Sequence, residues 1–567
     1  MKEKPSTPTT VTSPNRRQFL KSAAATGGVL SSSLLASNSA FATNGWGGSW
    51  GNQGMLQERA YDAFRTRVAS ARTQLLETLQ LDDQETNNDQ SRYRDERYYG
   101  SFSKTLPHNQ YGEVNPNAFR RMARALRTGR EYDFNRIPLA NNAVARLANP
   151  QGAFRVALAG ADSHATRIKA APSFRSAESA SEMGEVYWLA ITRDVPFKDY
   201  QSSSLISEAV SDLNGFSKII GPTVSGQITA NSVFRGETPG DLAGPYISQL
   251  LHKDVNYGPT LIEQRYLLGT PGNNFMTDVG NWLNIQRGGA VGETLVTDST
   301  RRYIFNNRGL AEYVHGDALF QAYFNAALVL LGYGGDAIDQ DNPYRSQIVN
   351  QGGFTTFGPP FLFDLLTQAA NLSLSGAWFQ KWRMHRRLRP EAYGGRVHFH
   401  LQGARNYELH SDILNSQALN KVYSDNGSYL LPMCYVEGSP THPSYPAGHA
   451  TVAGACCTIL KAFFNEDFVI PDPVEANNDG SALLDYTGTE LTLGNEVNKL
   501  AANISLGRDA AGVHYRSDGI EGIAAGEQQA LALLQDYSMT INESFAGFKL
   551  KRFDGSSVRI VDGNIIG

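Results

Sequence analysis

The sequence predicts an all-α fold, a large helical bundle with one minor, peripheral β-hairpin, on three observations. Apolar residues recur at helical spacing through most of the chain, and strand-like alternation is confined to short runs. With 41% hydrophobic and 19% charged residues over 567 positions, the chain can also fill a sizeable core. Helical periodicity marks 57–80, 116–129, 204–214, 241–253, 298–334, 361–389, 447–466, 490–505 and 517–538, with Gly, Pro and Asn clusters between them. Near the C-terminus, FKLKRF and SVRIV flank Asp554-Gly555 and read as the hairpin. Residues 43–567 are expected to form one large domain: a helical half over about 43–297, a second over about 298–545, and the hairpin over about 546–567.

The first 42 residues read as an address. Asn15-Arg16-Arg17-Gln18-Phe19-Leu20-Lys21 has the form of a twin-arginine motif, followed by an Ala/Ser-rich apolar stretch and Ala40-Phe41-Ala42 as a cleavage site. The expectation is export by the twin-arginine route to the periplasm or cell exterior, with residues 43–56 as a flexible or surface-wrapping lead-in. Only Cys434, Cys456 and Cys457 are present, too few for a disulfide framework and without a Cys-x-x-Cys pair. The most apolar stretch, ALFQAYFNAALVLLGYGG from Ala318, is interrupted by Gln321 and Asn325, so a buried helix is expected there and no membrane span. A net charge of −4 and a pI near 6.3 argue against nucleic acid as a partner. Any anion preference must be local.

Three basic, His-bearing segments supply it. In KWRMHRRLRPEAYGG, five cations from Lys381 to Arg389 carry no acid among them, Lys381 and His385 share a helical face, and Pro390 places Arg389 at a helix end where its planar fork can meet two oxygens. In THPSYPAGHA, Pro443, Pro446 and Gly448 block helix upstream, so His449 falls on a first turn whose free N–H groups attract an anion, with His442 seven residues earlier. In SLGRDAAGVHYRSDG, Arg508 and His514 converge only if Gly507 and Gly512 interrupt the helix, and Ser517-Asp518 offers a cap for the next one. Each segment alone also has a plainer reading: a solvated basic face, a capping histidine, or pairing of Arg508 and His514 with Asp509 or Asp518.

Taken together, Lys-x7-Arg-Pro, Pro-Ser-Tyr-Pro-x-Gly-His and Arg-x5-His resemble the vanadium-dependent haloperoxidases, in particular the algal bromoperoxidase branch and its bacterial relatives. The resemblance covers mainly residues 300–540 and is more distantly shared with acid phosphatases, whose first motif has a six-residue spacing. It implies a helical-bundle fold of that kind, vanadate as cofactor, and no haem. By resemblance, His514 binds vanadium through Nε2, while Lys381, Arg389, Arg508 and the Gly448 N–H hold vanadate oxygens. His449 then takes the acid–base role, and His442 and Lys381 act on the reacting groups. Trp378 matches an aromatic residue near the cofactor, and Asp317 matches a carboxylate that pairs with the third-motif arginine, here Arg508. Ala447 departs from the pattern, standing where most members place a hydrogen-bonding Ser; Ser444, Thr451 or water are the candidates to replace it.

The reaction implied is oxidation of bromide or iodide by hydrogen peroxide to hypohalous acid, which halogenates small organic acceptors, with vanadium as a Lewis acid. The family also implies a homo-oligomer. Phosphomonoester hydrolysis by the same residues, and a non-catalytic oxyanion-binding assembly protein, are the alternative readings.

Overall fold

A computed structural model describes residues 52–567. The export signal expected over 1–42 and the start of the expected lead-in lie outside the described residues, while 52–56 belong to the first helix rather than to a lead-in. By internal contacts the chain divides into Met1–Arg65, whose described part is the start of the first helix, and Thr66–Gly567, to which the rest of the architecture below belongs.

Helices dominate. The principal ones are α1 (Asn52–Leu79), α2 (Pro116–Thr128), α3 (Ala177–Thr192), α4 (Ser204–Leu213), α5 (Asn307–Gly316) and α6 (Gln321–Gly332). They are followed by α7 (Pro359–Phe379), α8 (Pro390–Leu401), α9 (Gly448–Phe463), α10 (Leu493–Ala510) and α11 (Arg516–Ser538). Local chemistry sets several of these ends. At α2, Asn115 Oδ1 accepts from the N–H groups of Asn117 (2.9 Å) and Ala118 (3.2 Å), Pro116 opens the helix, and Gly129 ends it in the left-handed region.

The core is built around α9, every residue of which except His449 is buried. It packs on α11, α7 and α10. The α9–α11 crossing brings main chains together: a Cβ on Gly454 would lie 2.1 Å from the Ile523 carbonyl oxygen, and one on Gly526 would lie 1.9 Å from that of Thr451. Leu365, Leu366, Leu460, Leu500 and Leu533 fill the surroundings with no exposed surface, each contributing about 1.5–3 kcal/mol by burial.

Several expected elements differ. The helix over 241–253 is a loop with a single 3-10 turn, Gln249–Leu251, because Gly244 has a positive φ of 70° and Pro245 follows it. The helix over 298–334 begins only at Asn307 and breaks between α5 and α6, where Asp317 adopts extended backbone. The stretch 361–389 is not one helix either. α7 ends in a π turn, Gln380–His385, then Arg386 turns left-handed (φ 46°) and Arg389 caps α8. α10 runs through Gly507 to Ala510, and α3 was not anticipated, since it is buried nearly all round and shows no amphipathic stripe.

The C-terminal hairpin forms around Asp554-Gly555, pairing Phe548–Lys551 with Ser557–Val561, but a third strand, Asn564–Ile566, extends it to a three-stranded antiparallel sheet. It is less peripheral than expected: Phe548, Leu550, Val558 and Ile560 join the main core. Two further two-stranded ribbons, Val255–Tyr257 with Thr260–Ile262 and Val474–Ala476 with Leu483–Asp485, complete the strands among the described residues.

Candidate active site

Five chain segments meet at the N-terminus of α9. The π turn presents Lys381, whose Nζ donates to the carbonyl oxygens of Pro443 (2.9 Å) and Ser444 (2.7 Å) on the loop entering α9. This changes the expected arrangement, since His385 turns away to Gln380 (3.2 Å) and does not share the Lys381 task. Arg386 closes the turn by donating to the carbonyls of Trp382 and Arg383, so Arg389 starts a new helix that faces the same loop.

Arg389 is only 2% exposed. Its Nε donates to the His442 carbonyl (3.0 Å), Nη1 to the Val513 carbonyl (2.7 Å) and to His514 Nε2 (2.9 Å), and Nη2 to His442 Nδ1 (3.0 Å). A guanidinium can only donate, so both imidazoles accept at those nitrogens. The fork is therefore shared with two histidines and two carbonyls rather than held free for two oxygens.

His514 follows the turn that ends α10, where Gly512 has a φ of 83°. Its Nδ1 lies 2.8 Å from Asp518 Oδ2 on the first turn of α11, so Nδ1 carries the proton and Nε2 a lone pair. Burial, followed by Arg389, Lys381 and Arg508, holds this imidazole well below its ordinary pKa, in the neutral form. The plainer pairing of His514 with Asp518 is thus present, and it orients the ring. The N-cap of α11 is Tyr515 rather than Ser517-Asp518; Asp518 sits at the third helical position and serves the helix start from there, accepting from the Tyr515 N–H (3.2 Å).

Behind Asp518 stands a partner set without a local sequence signal. Arg387 donates to Asp518 Oδ1 (2.7 Å), Ser517 Oγ (2.9 Å) and Glu182 on α3 (2.5 Å), and it stacks over the Tyr515 ring at 3.9 Å. Burial opposes this guanidinium's charge, yet Glu182 and Asp518 hold its pKa above the ordinary value. The sequence marks Asp518 as a helix cap and as a possible acid for His514, but Glu182 lies more than two hundred residues away from Arg387 in sequence.

Arg508 occupies the last turn of α10, not a loop. Its Nη1 donates to the Val314 carbonyl (2.6 Å) and approaches Tyr435 Oη (3.4 Å), while its buried Nε has no hydrogen-bond partner. The expected Asp317–Arg508 pair does not form. α5 stops at Gly316, which leaves the Val314 carbonyl free for the arginine and carries Asp317 onward to His449, where Oδ1 meets Nε2 at 3.0 Å. With Nε2–H donating to a carboxylate, Nδ1 is the basic nitrogen of His449. Burial and then Arg508 lower this histidine's pKa, against the pull of Asp317. Its side chain, 20% exposed, is the opening in an otherwise closed α9.

His442 is held between Arg389 and Trp378, whose ring centroid lies 4.8 Å away; the indole Nε1 donates to the Ala148 carbonyl (3.2 Å). Gly448 begins α9, and its N–H is among those a first turn leaves without an intrahelical acceptor. Neither proposed substitute at Ala447 is free to donate: Thr451 Oγ1 donates to the Ala447 carbonyl (2.8 Å), and Ser444 Oγ to Asp518. We expect Ala447→Ser to tighten binding of a tetrahedral oxyanion about tenfold, the low end of 1.5–3 kcal/mol for a hydrogen bond to a charged group. Titration with vanadate as the probe oxyanion measures it.

These residues fit an oxyanion. Lys381, Arg389 and Arg508 converge in a buried space, with burial and mutual repulsion pressing Lys381 well below its usual pKa and Arg389 down to about 9. The unpartnered Nε of Arg508 adds a donor that an anion would satisfy.

Comparison with known proteins agrees with that chemistry. A vanadium-dependent bromoperoxidase of Ascophyllum nodosum is 35% identical, over 89% of this chain and 92% of its own length. The chain belongs to the vanadium haloperoxidase family. A model of the VCPO second helical-bundle domain matches residues 363–543 of this haloperoxidase. A vanadium-dependent bromoperoxidase of Corallina pilulifera is 33% identical, over 89% of the chain and 99% of its own length. Among solved structures, the homohexameric second vanadate-dependent bromoperoxidase of Ascophyllum nodosum superposes with a TM-score of 0.85 at 29% identity, covering 90% of this chain and 92% of that one. The likeness is therefore not confined to residues 300–540; the N-terminal half of this haloperoxidase shares it.

Proposed function

We propose that the protein is a vanadate-dependent haloperoxidase that uses hydrogen peroxide to oxidise bromide or iodide, the product halogenating small organic acceptors. The observation that carries this is the neutral Nε2 lone pair of His514, oriented by Asp518 and set among three buried cations. Lys381, Arg389, Arg508 and the Gly448 N–H would hold the oxygens of vanadate, and His514 Nε2 its metal. When bound, vanadate supplies a Lewis acid that activates peroxide toward a halide.

The chain's own groups do the rest. His449 Nδ1 receives a proton from the incoming peroxide, and Asp317 keeps the other nitrogen protonated so that the ring offers one basic site. Lys381 and the two arginines favour negative charge that develops on oxygen, in a site closed by Trp378 and the α9 loop. His442, neutral because burial, Lys381 and Arg389 oppose its charge, accepts from Arg389 at Nδ1 and so carries its N–H at Nε2 as a donor for an anion.

Two coarser features complete the reading. Homo-oligomerisation is supported by the homohexameric relative, and twin-arginine export to the periplasm or exterior by Arg16-Arg17 and Ala40-Phe41-Ala42. No described helix is long and apolar enough to cross a membrane.

The test is a matrix of halide against vanadate on metal-free protein, with bromination of a phenolic indicator and phosphate-ester hydrolysis assayed in parallel. Turnover is expected only when vanadate, peroxide and bromide or iodide are present together. Ester hydrolysis without peroxide-dependent turnover would overturn the reading in favour of a phosphatase.

A further inference from the structure

The half of the chain that precedes residue 300 carries no recognisable chemistry in its sequence, yet it sends one ammonium into the ground beneath the site. Lys104 is 5% exposed. Its Nζ donates to Glu391 Oε1 (3.0 Å) and Oε2 (3.3 Å), and to the carbonyl oxygens of Glu437 (2.9 Å) and Ser439 (2.6 Å). Glu391 also accepts from the Ser439 N–H and from Gln286 Nε2. A Cβ on Gly438 would fall 1.9 Å from Glu391 Oε2, so the loop lies directly on the carboxylate.

Two functional residues extend from this knot in opposite directions along the chain. Glu391 sits two residues after Arg389, in the first turn of α8, whose N–H groups at Ala392 and Tyr393 both bond the Arg389 carbonyl. Ser439 sits three residues before His442. Arg389 and His442 then grip each other twice, through Nε to the His442 carbonyl and Nη2 to its ring. Without the ammonium, the Ser439 carbonyl and the Glu391 carboxylate would face one another as buried acceptors, with the part-buried Glu437 carbonyl beside them, and separate.

We propose that Lys104 is a positioning residue of the haloperoxidase site: by tying the start of α8 to the 437–439 loop, it sets where the Arg389–His442 pair stands. This rests on the functional reading above. It assigns a task in the site to a residue outside the 363–543 region that the family model matches.

The test uses the full chain. Lys104→Met removes the charge but leaves Glu391 buried without its counter-ion, so the double variant Lys104→Met/Glu391→Gln is made as well. Arg396→Met serves as comparison. Arg396 is as deeply buried on the same helix and donates to the carbonyls of Tyr99, Tyr111 and Gly112, but it touches neither the loop nor the site. Thermal melting, the vanadate dissociation constant by equilibrium dialysis, and KM and kcat for bromide are measured on each.

All variants are expected to melt below the wild type. The Lys104 variants should in addition bind vanadate about tenfold more weakly and show a raised bromide KM, whereas Arg396→Met keeps both values. Lys104 variants that melt lower yet keep the vanadate constant and bromide KM within about twofold would overturn the proposal and reduce Lys104 to a structural ion pair. A wild type that binds vanadate but oxidises no halide would sink the functional reading while the dialysis arm still decides the positioning. A wild type that binds no vanadate overturns both.

Discussion

His514→Ala is expected to lower vanadate-dependent bromide oxidation by about 10³-fold or more, with loss of measurable vanadate binding at micromolar concentrations. Removing groups one bond beyond a metal ligand already costs about 10–100-fold in affinity, and here the ligand itself would go. The fold should survive the change. Asp518, the partner left behind, keeps Arg387, Ser444 Oγ and the Tyr515 N–H, so its buried carboxylate stays compensated. Circular dichroism and melting should therefore stay close to wild type while dialysis against vanadate shows no retention. A variant that binds vanadate as tightly as the wild type would remove His514 from the centre of the site.

His449→Ala tests the other half of the chemistry. Loss of a positioned proton acceptor typically costs about 10²–10⁴-fold, and it should appear in kcat with vanadate binding changed only a few-fold, since three cations and His514 remain. The pH profile supplies the sign. The imidazole accepts a proton only when neutral, and its pKa lies below the ordinary 6.5 because burial and Arg508 oppose the charged form. Wild-type turnover should thus be present above that lowered value and decline as pH falls through it. In His449→Ala this acid limb should disappear from an already slow reaction. An alanine variant with unchanged kcat would rule out the proton-transfer role.

Much of the site could be read in the chain because its anchors are local events. Pro443, Pro446 and Gly448 announce the start of α9, and Pro390 announces that Arg389 stands at a helix entrance. What the sequence concealed is pairing over distance. Asp317 was matched to Arg508, but the point at which α5 ends gives the arginine a carbonyl and sends the carboxylate to His449. Gly507 looked like a break in α10, yet helical backbone tolerates a glycine where Val314 and the Leu310 carbonyl press close, and the turn falls at Gly512 instead. Glu182 and Lys104 left no trace, since nothing in a local pattern says which buried acid or amine a distant arginine or loop will need. The fold class was legible for the opposite reason: helical periodicity is a property of each segment alone, and it misled where Gly244-Pro245, the extended Asp317 or the π turn broke a helix and where α3, buried nearly all round, shows no stripe.

The glycine crossing of α9 and α11 works as a fixed ruler. α9 begins at Gly448 and α11 directly follows His514, so the two ends that face one another across the site belong to helices whose main chains already touch at Gly454 and Gly526. The Ala447 N–H adds a rung by donating to the Asp518 carbonyl at 2.8 Å. Backbone in contact with backbone has no side chain to compress or rotate, so the gauge of the oxyanion cradle is insulated from drift in the surrounding core. Substitutions among the leucines can loosen the protein without widening the cradle, whereas a single methyl group on either glycine would re-gauge it.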